Sequence, residues 1–224
     1  MLILAIDTSA VASAALISDE ALETVVDSFV TEDTRSHAEV LAPGISQLLA
    51  RAGITGADID AIVTGVGPGP FTGLRSGIAT ARTLSFVWNK PLYGQMSLDA
   101  IALEVAGSTS AVPEFLVATD ARRKEVYWAR YTLADGQLPH LVDGPHVGFA
   151  AQLPDLPVFG AGAGLYSEVL DANEDFAATQ PDAASLGQFA LAKLAAGETL
   201  LDSTPLYLRE SDAQVPGPRK RALL

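Results

Sequence analysis

The sequence contains no cysteine and only three histidines in 224 residues. The first absence removes disulfides, thiolate metal sites and thiol nucleophiles together. The second leaves few nitrogen ligands. His37, His140 and His146 are scattered, and neither His-x-x-x-His nor His-Glu-x-x-His occurs. A zinc or iron site built by this chain alone is not expected. The Gly-x-Ser-x-Gly elbow of a serine hydrolase is missing, and no Gly-Lys-Ser/Thr follows a glycine-rich loop. Positive charge is scarce as well: 14 Lys and Arg stand against 27 Asp and Glu, a net charge of −13. Such a chain is poorly equipped to grip phosphate backbones or an anionic membrane surface by itself. No stretch approaches the roughly 18 apolar residues of a membrane span. The opening MLILAIDTSA lacks a basic region, and its apolar run stops at Asp7, so it is not read as a signal peptide. The expectation is an acidic cytoplasmic protein.

What is present is apolar and periodic. Hydrophobic residues make up 49% of the chain, enough to build a core and too many for disorder. Leu2 to Ile6 is a continuous apolar run and reads as a buried strand. Ala12 to Ile17 and Thr24 to Val30 read as two further strands. Leu41, Ile45, Leu48 and Leu49 fall on one helical face within Ser36 to Ala52, where Pro43 should bend the helix or split off its first turn. Strand Asp60 to Val66, helix Phe71 to Trp88, strand Pro91 to Gln95 and helix Leu98 to Ala106 follow. The order β-β-β-α-β-α-β-α then restarts after Gly107 to Pro113, with strands at Phe115 to Thr119, Glu125 to Leu133 and His140 to Val147. Leu156 to Phe159 leads into the glycine run 160–164, a helix near Leu165 to Leu170, and an Ala-rich helix Ala183 to Ala196. Two α/β lobes of the actin/Hsp70/sugar-kinase type show this order. The boundaries read from it are 1–106 and 107–224, and the final segment can pack back on the first lobe.

Three features carry chemistry. Thr64 to Gly77, TGVGPGPFTGLRSG, places several glycines and prolines at a strand-to-helix junction. Backbone N–H groups there, around Gly67 and Gly69, can hold an anion, or the turn can simply be rigid. Asp7-Thr8-Ser9 closes the first strand, either as a contact to a metal-bound phosphate or as a capped strand end. The helix Phe71 to Trp88 has a core stripe of Leu74, Ile78, Ala81 and Trp88. It has a second stripe of Phe71, Arg75, Ala79, Arg82 and Phe86, residue types enriched at protein interfaces. That helix is either buried on both sides or half of an interface.

Four stretches together, IDTS, RSHAEVLAPGI, TGVGPGPFTGLRSGIATAR and PLYLRE, resemble the TsaB (YeaZ) family over essentially the whole chain. The resemblance implies an accessory, non-catalytic subunit in bacterial tRNA modification. Its partner would be TsaD, a transferase of the same fold that places a threonylcarbamoyl group on the adenosine beside the anticodon. The ATPase TsaE would join the pair. In isolation the chain would form a homodimer, and tRNA would be reached only through the complex. The catalytic paralogue's His-Leu-Glu-x-His motif falls on Ser97 to Ile101, so both metal-binding histidines are replaced, by Ser97 and Ile101. The resemblance therefore implies no catalytic residue and no metal here. It implies a partner or dimer surface on the two long helices, for which Arg35, His37, Val40, Leu41, Gly44, Phe71, Thr72, Arg75, Ala79 and Arg82 are the expected contacts. Asp7, Thr8, Ser9, Gly67 and Gly69, with the run 160–164, would line a nucleotide or anion cleft, with no cofactor bound tightly by the chain alone and ATP or ADP at the complex interface. The rival readings are a stand-alone kinase or ATPase of this fold, and a metallopeptidase of the M22 type.

Overall fold

Near-continuous burial along the first two strands marks a sheet with two covered faces, and alternating burial along the third marks its edge. The computed structural model of the chain describes residues 1–20, 24–31, 37–134 and 136–209, with side chains throughout except at 37 and 38. Strands β1 (Leu2–Asp7), β2 (Ser13–Ser18) and β3 (Val25–Val30) form an antiparallel meander. Helix α1 (His37–Ala52), strand β4 (Ala61–Gly65), helix α2 (Phe71–Trp88), strand β5 (Leu92–Gln95) and helix α3 (Leu98–Ala106) follow. The sheet order is β3-β2-β1-β4-β5, with β4 parallel to both β1 and β5. This is the first lobe expected from the sequence, element for element.

Successive residues of β1 face opposite sides, and each side has its own cover. Leu4 and Ile6, with Leu16 and Ile62, pack under Leu41, Ile45 and Leu48 of α1 and Ala81 of α2. Ile3 and Ala5, with Ala15, Ile17 and Val63, pack under Ala100 of α3 and a helix from the far end of the chain. That helix is α5 (Ala183–Ala195), started by Asp182, whose carboxylate accepts from the N–H groups of Ala184 and Ser185. Pro43 does not divide α1. It sits on the solvent side of an unbroken helix, where water can satisfy the carbonyl that loses its partner.

The second sheet is β6 (Glu114–Asp120), β7 (Glu125–Thr132), β8 (His140–Phe149) and β9 (Val158–Phe159), in the order β8-β7-β6-β9. Helix α3 lies between the sheets. Leu98, Ile101, Ala102 and Val105 pack on Phe115, Val117, Ala129 and Tyr131, while Ala100 belongs to the other core. The second repeat is abbreviated. A single 3-10 turn, Ala150–Gln152, replaces the helix between β8 and β9, and α5 leaves to cover the first sheet.

The glycine run differs from the sequence reading. Residues 161–165 are themselves a short helix, α4 (Ala161–Leu165), packed on β6 through Ala163, Leu116 and Ala118. Tyr166, at φ −124° and ψ 31°, ends it, so the helix expected near Leu165 to Leu170 does not form. No described helix is long and apolar enough to cross a membrane.

Candidate partner-binding face

Helix α2 starts at Pro70, whose extended φ of −61° and ψ of 135° lead into the first turn. It stops at Asn89 in the left-handed region, with φ 55° and ψ 50°. Gly73, Leu74, Gly77, Ile78 and Ala81 are buried against the sheet. Thr72, Arg75, Ala79 and Arg82 face outward, and Phe86 and Val87 are 88% and 67% exposed. The two stripes read from spacing are thus a core face and a solvent face, and the helix is not buried on both sides. An aromatic ring as open as that of Phe86, beside Val87, forms an apolar patch with no described cover.

Helix α1 packs beside α2 and contributes less than expected. Leu41 is 0% exposed and belongs to the core with Leu4 and Leu16, so it is not a contact residue. The face of α1 that carries Leu41 at its apolar spacing points inward. Gly44 meets the ring of Phe29 from β3: a Cβ there would lie 2.4 Å from Cζ. That glycine admits an intramolecular ring rather than a partner helix. Val40 is half-buried. Arg35 and the side chain of His37 lie outside the described residues.

The arginines of α2 have partners within the chain. Arg75 Nε donates to Tyr207 Oη at 3.0 Å, and its guanidinium lies 5.5 Å from the Phe71 ring and 5.7 Å from the Tyr207 ring. Those two rings are 4.6 Å apart. Arg82 donates through Nε to Ser203 Oγ at 3.0 Å and through Nη2 to the Ser203 carbonyl at 2.8 Å. Residues 201–209 form a strap. Leu201 pairs with Gly94 at the edge of β5, Leu206 N–H donates to the Val66 carbonyl at 2.8 Å, and Arg209 forms an ion pair with Glu125 of β7. The strap holds α2, the first sheet and the second sheet in one arrangement. In the sequence PLYLRE carries the family resemblance and belongs to the final segment that can pack back on the first lobe, but nothing there names Arg75 or Arg82 as its contacts. The available signal was an exposed aromatic and an arginine in a segment with no helical or strand period.

The residues expected to line a nucleotide cleft are brought together, but their polar atoms bond to one another. Asp7 is 0% exposed. Its Oδ1 accepts from Ser9 N at 2.8 Å and Ser9 Oγ at 2.7 Å, and its Oδ2 accepts from Ser97 Oγ at 2.6 Å. Burial pushes this carboxyl up to about 6. Thr8 Oγ1 donates to the Gly73 carbonyl at 2.8 Å. Gly67 and Ser97 exchange two bonds, Ser97 N to Gly67 O at 2.9 Å and Gly67 N to Ser97 Oγ at 3.2 Å. Gly69 allows the loop to touch the Asp7 turn: a Cβ there would sit 2.6 Å from the Ser9 carbonyl. The result is a closed knot joining β1, the loop before α2 and the start of α3. A ligand reaching Asp7 would have to displace these bonds. The run 160–164 is helical and packed on β6, so it offers no open loop. Where the paralogue's histidines would stand, Ser97 is tied to Asp7 and Ile101 is core.

Comparison with known proteins agrees with this architecture. Residues 24–157 match the family model described as TsaD, tRNA N6-adenosine threonylcarbamoyltransferase. An uncharacterized protein of Mycobacterium tuberculosis is 40% identical over 95% of this chain and 93% of its own length. The tRNA threonylcarbamoyladenosine biosynthesis protein TsaB of Escherichia coli is 36% identical over 62% of this chain and 59% of its own. Among solved structures, YeaZ from Pseudomonas aeruginosa superposes with a TM-score of 0.77 at 28% identity, covering 92% of this chain and 99% of that one. With its actin/sugar-kinase-like α/β fold, the chain belongs to the TsaB (YeaZ) family.

Proposed function

We propose that this chain is the accessory subunit of a tRNA threonylcarbamoylating complex, binding and activating a TsaD-type transferase through the outer face of α2. The observation that carries the reading is the exposed row Arg75, Ala79, Arg82 and Phe86. It is built on a core stripe, and its two arginines are held by the 201–209 strap. An apolar center flanked by arginines already fixed in position can pair with a partner helix at little further cost in side-chain order. The same face would serve a homodimer when the transferase is absent. TsaE would join the pair, tRNA would be reached through the assembled complex in the cytoplasm, and ATP or ADP would sit at an interface rather than in this chain alone.

The accessory role fits the chemistry of the former cleft. A kinase of this fold needs its first-strand aspartate free to act on a metal-bound phosphate. Here Asp7 is buried and accepts hydrogen bonds from Ser9 and Ser97. Ser97 and Ile101 likewise leave the transferase's metal position without its imidazoles. The decisive experiment is co-purification of the tagged chain with the paralogous transferase from its own cell extract, followed by a threonylcarbamoyl-transfer assay with each protein alone and with both. Activity that requires both supports the reading. Transfer or ATP hydrolysis by this chain alone overturns it.

A further inference from the structure

A second site lies away from the α2 face, in a cavity of about 700 Å³ between the two sheets. Gln95 at the end of β5 and Asp99 in the first turn of α3 line it from the first-sheet side, and His140, Leu141, Gly144 and Pro145 of β8 line it from the second. Tyr131 of β7 lies behind this lining, fully buried. Tyr131 Oη donates to Asp99 Oδ1 at 2.7 Å, and Gln95 Nε2 donates to Asp99 Oδ2. Asp99 accepts from the amide nitrogen and so fixes which way the Gln95 amide points. Its other arm, Oε1, has no hydrogen-bond partner among the described residues. Gln95 is 3% exposed and Asp99 6% exposed, and both line the cavity. A buried acceptor left unpaired costs stability, which a ligand able to donate to it would recover.

The lining therefore includes a glutamine whose buried amide oxygen is unpaired, next to a buried carboxylate whose direct partners are uncharged donors. Burial pushes Asp99 up to about 6, against smaller lowering effects of the Tyr131 and Gln95 hydrogen bonds and the Lys193 charge. The walls are apolar, with Met96, Phe189 and Leu206 prominent. At the rim, half-buried Lys193 lies 5.8 Å from the Phe189 ring and 3.5 Å from Glu198.

We infer that this cavity binds a small primary ammonium compound with an apolar body, the ammonium donating to Gln95 Oε1 and Asp99. An aliphatic amino acid fits best, because its carboxylate can meet Lys193. The volume falls in the range of small-molecule sites, roughly 300–1,000 Å³. An occupant bridging β5, α3, α5 and the start of β8 would touch both sheets and stiffen their relative placement. This inference is independent of the partner assignment.

The test uses the full chain and three probes of one shape: 3-methylbutylamine (ammonium only), leucine (ammonium and carboxylate) and 4-methylpentanoate (carboxylate only). Binding is followed by NMR titration. Both ammonium probes should saturate with Kd on the order of 1–10 mM, and 4-methylpentanoate should not bind. Gln95→Met, which keeps the volume and removes Oε1, should weaken both ammonium probes by about tenfold. Lys193→Met should weaken leucine alone. Leu206→Trp, which fills the cavity from its wall, should abolish binding and serves if Gln95→Met does not fold. Absence of saturation by either ammonium probe, equal binding of the carboxylate probe, or full binding to folded Gln95→Met or Leu206→Trp would overturn the inference.

Discussion

Ser97 donates its hydroxyl to Asp7 at 2.6 Å across 90 positions of sequence, inside a region from which water is excluded. The same oxygen accepts from the Gly67 N–H at 3.2 Å. One hydroxyl thus ties the end of β1, the loop before α2 and the start of α3, where the transferase relatives would carry a metal-binding histidine.

Ser97→Ala removes both bonds and leaves a buried carboxylate oxygen and a buried N–H unpaired. The expected loss is about 1–3 kcal/mol of folding stability, read as a lower urea midpoint at unchanged m-value. Because Ser97 is buried and not part of the outer row of α2, the folded variant should still capture the transferase. An unchanged midpoint would mean that the knot contributes nothing to the fold.

Two buried carboxyls and one half-buried one make stability depend on pH near neutrality. Burial raises Asp7 and Asp99 to about 6, and burial together with the neighbouring Asp182 carboxylate raises Glu104 to about 7. A raised folded-state value means the folded chain holds protons that the unfolded chain has released. Their contribution to stability is therefore fully present below the unfolded values near 4 and is lost as pH climbs through 6 to 7. Asp7 alone contributes on the order of 2–3 kcal/mol to this slope. Thermal midpoints should drop from pH 5 to pH 7.5, and Asp7→Asn should flatten the drop. A midpoint that rises over this window would contradict the assignment.

The strap predicts a separate loss. Tyr207→Ala removes a ring pair with Phe71 and the acceptor of Arg75 Nε. Both lie at the surface, so the cost should be about 1–2 kcal/mol. The more telling readout is the interface. With Arg75 no longer positioned, affinity for the transferase should fall although Tyr207 is not on the outer row. Equal affinity would show that the strap does not organise that face.

The isolated chain should not shift tRNA in a gel at about 0.1 M salt, where the Debye length is roughly 10 Å. At a net charge of −13 it has too few gathered cations to displace counterions. A shift that weakens with added salt, and is lost when Arg219, Lys220 and Arg221 are replaced by serine, would assign direct RNA contact to this chain.

The first lobe was legible because its inner strands are continuous apolar runs and its two long helices carry a periodic apolar stripe. The spacing of Leu74, Ile78 and Ala81 predicts both the span Phe71–Trp88 and the face it buries, and both are observed. What could not be read were contacts between distant segments. Nothing near Arg82 in the chain announces Ser203, and nothing near Gln95 announces that it shares the Asp99 carboxylate with Tyr131. Leu41 misled for a related reason. Its family motif marked it as a contact, while its own place in the apolar row with Ile45 and Leu48 already made it core. The run 160–164 misled because glycines weaken a helix without forbidding one, and packing against β6 decided the outcome.

The central claim, that the outer row of α2 is the partner surface, is tested most directly at Ala79. The residue is exposed, so Ala79→Glu should leave the circular dichroism spectrum and melting midpoint unchanged. Within a closed interface it puts a long charged side chain where only a methyl group fits, at a cost of several kcal/mol, and about 1.4 kcal/mol is already tenfold in affinity. The measurement is capture of the purified transferase by wild-type and Ala79→Glu chains at equal concentration. The account predicts a folded variant that captures none. A folded variant that captures the transferase as well as wild type would place the interface elsewhere.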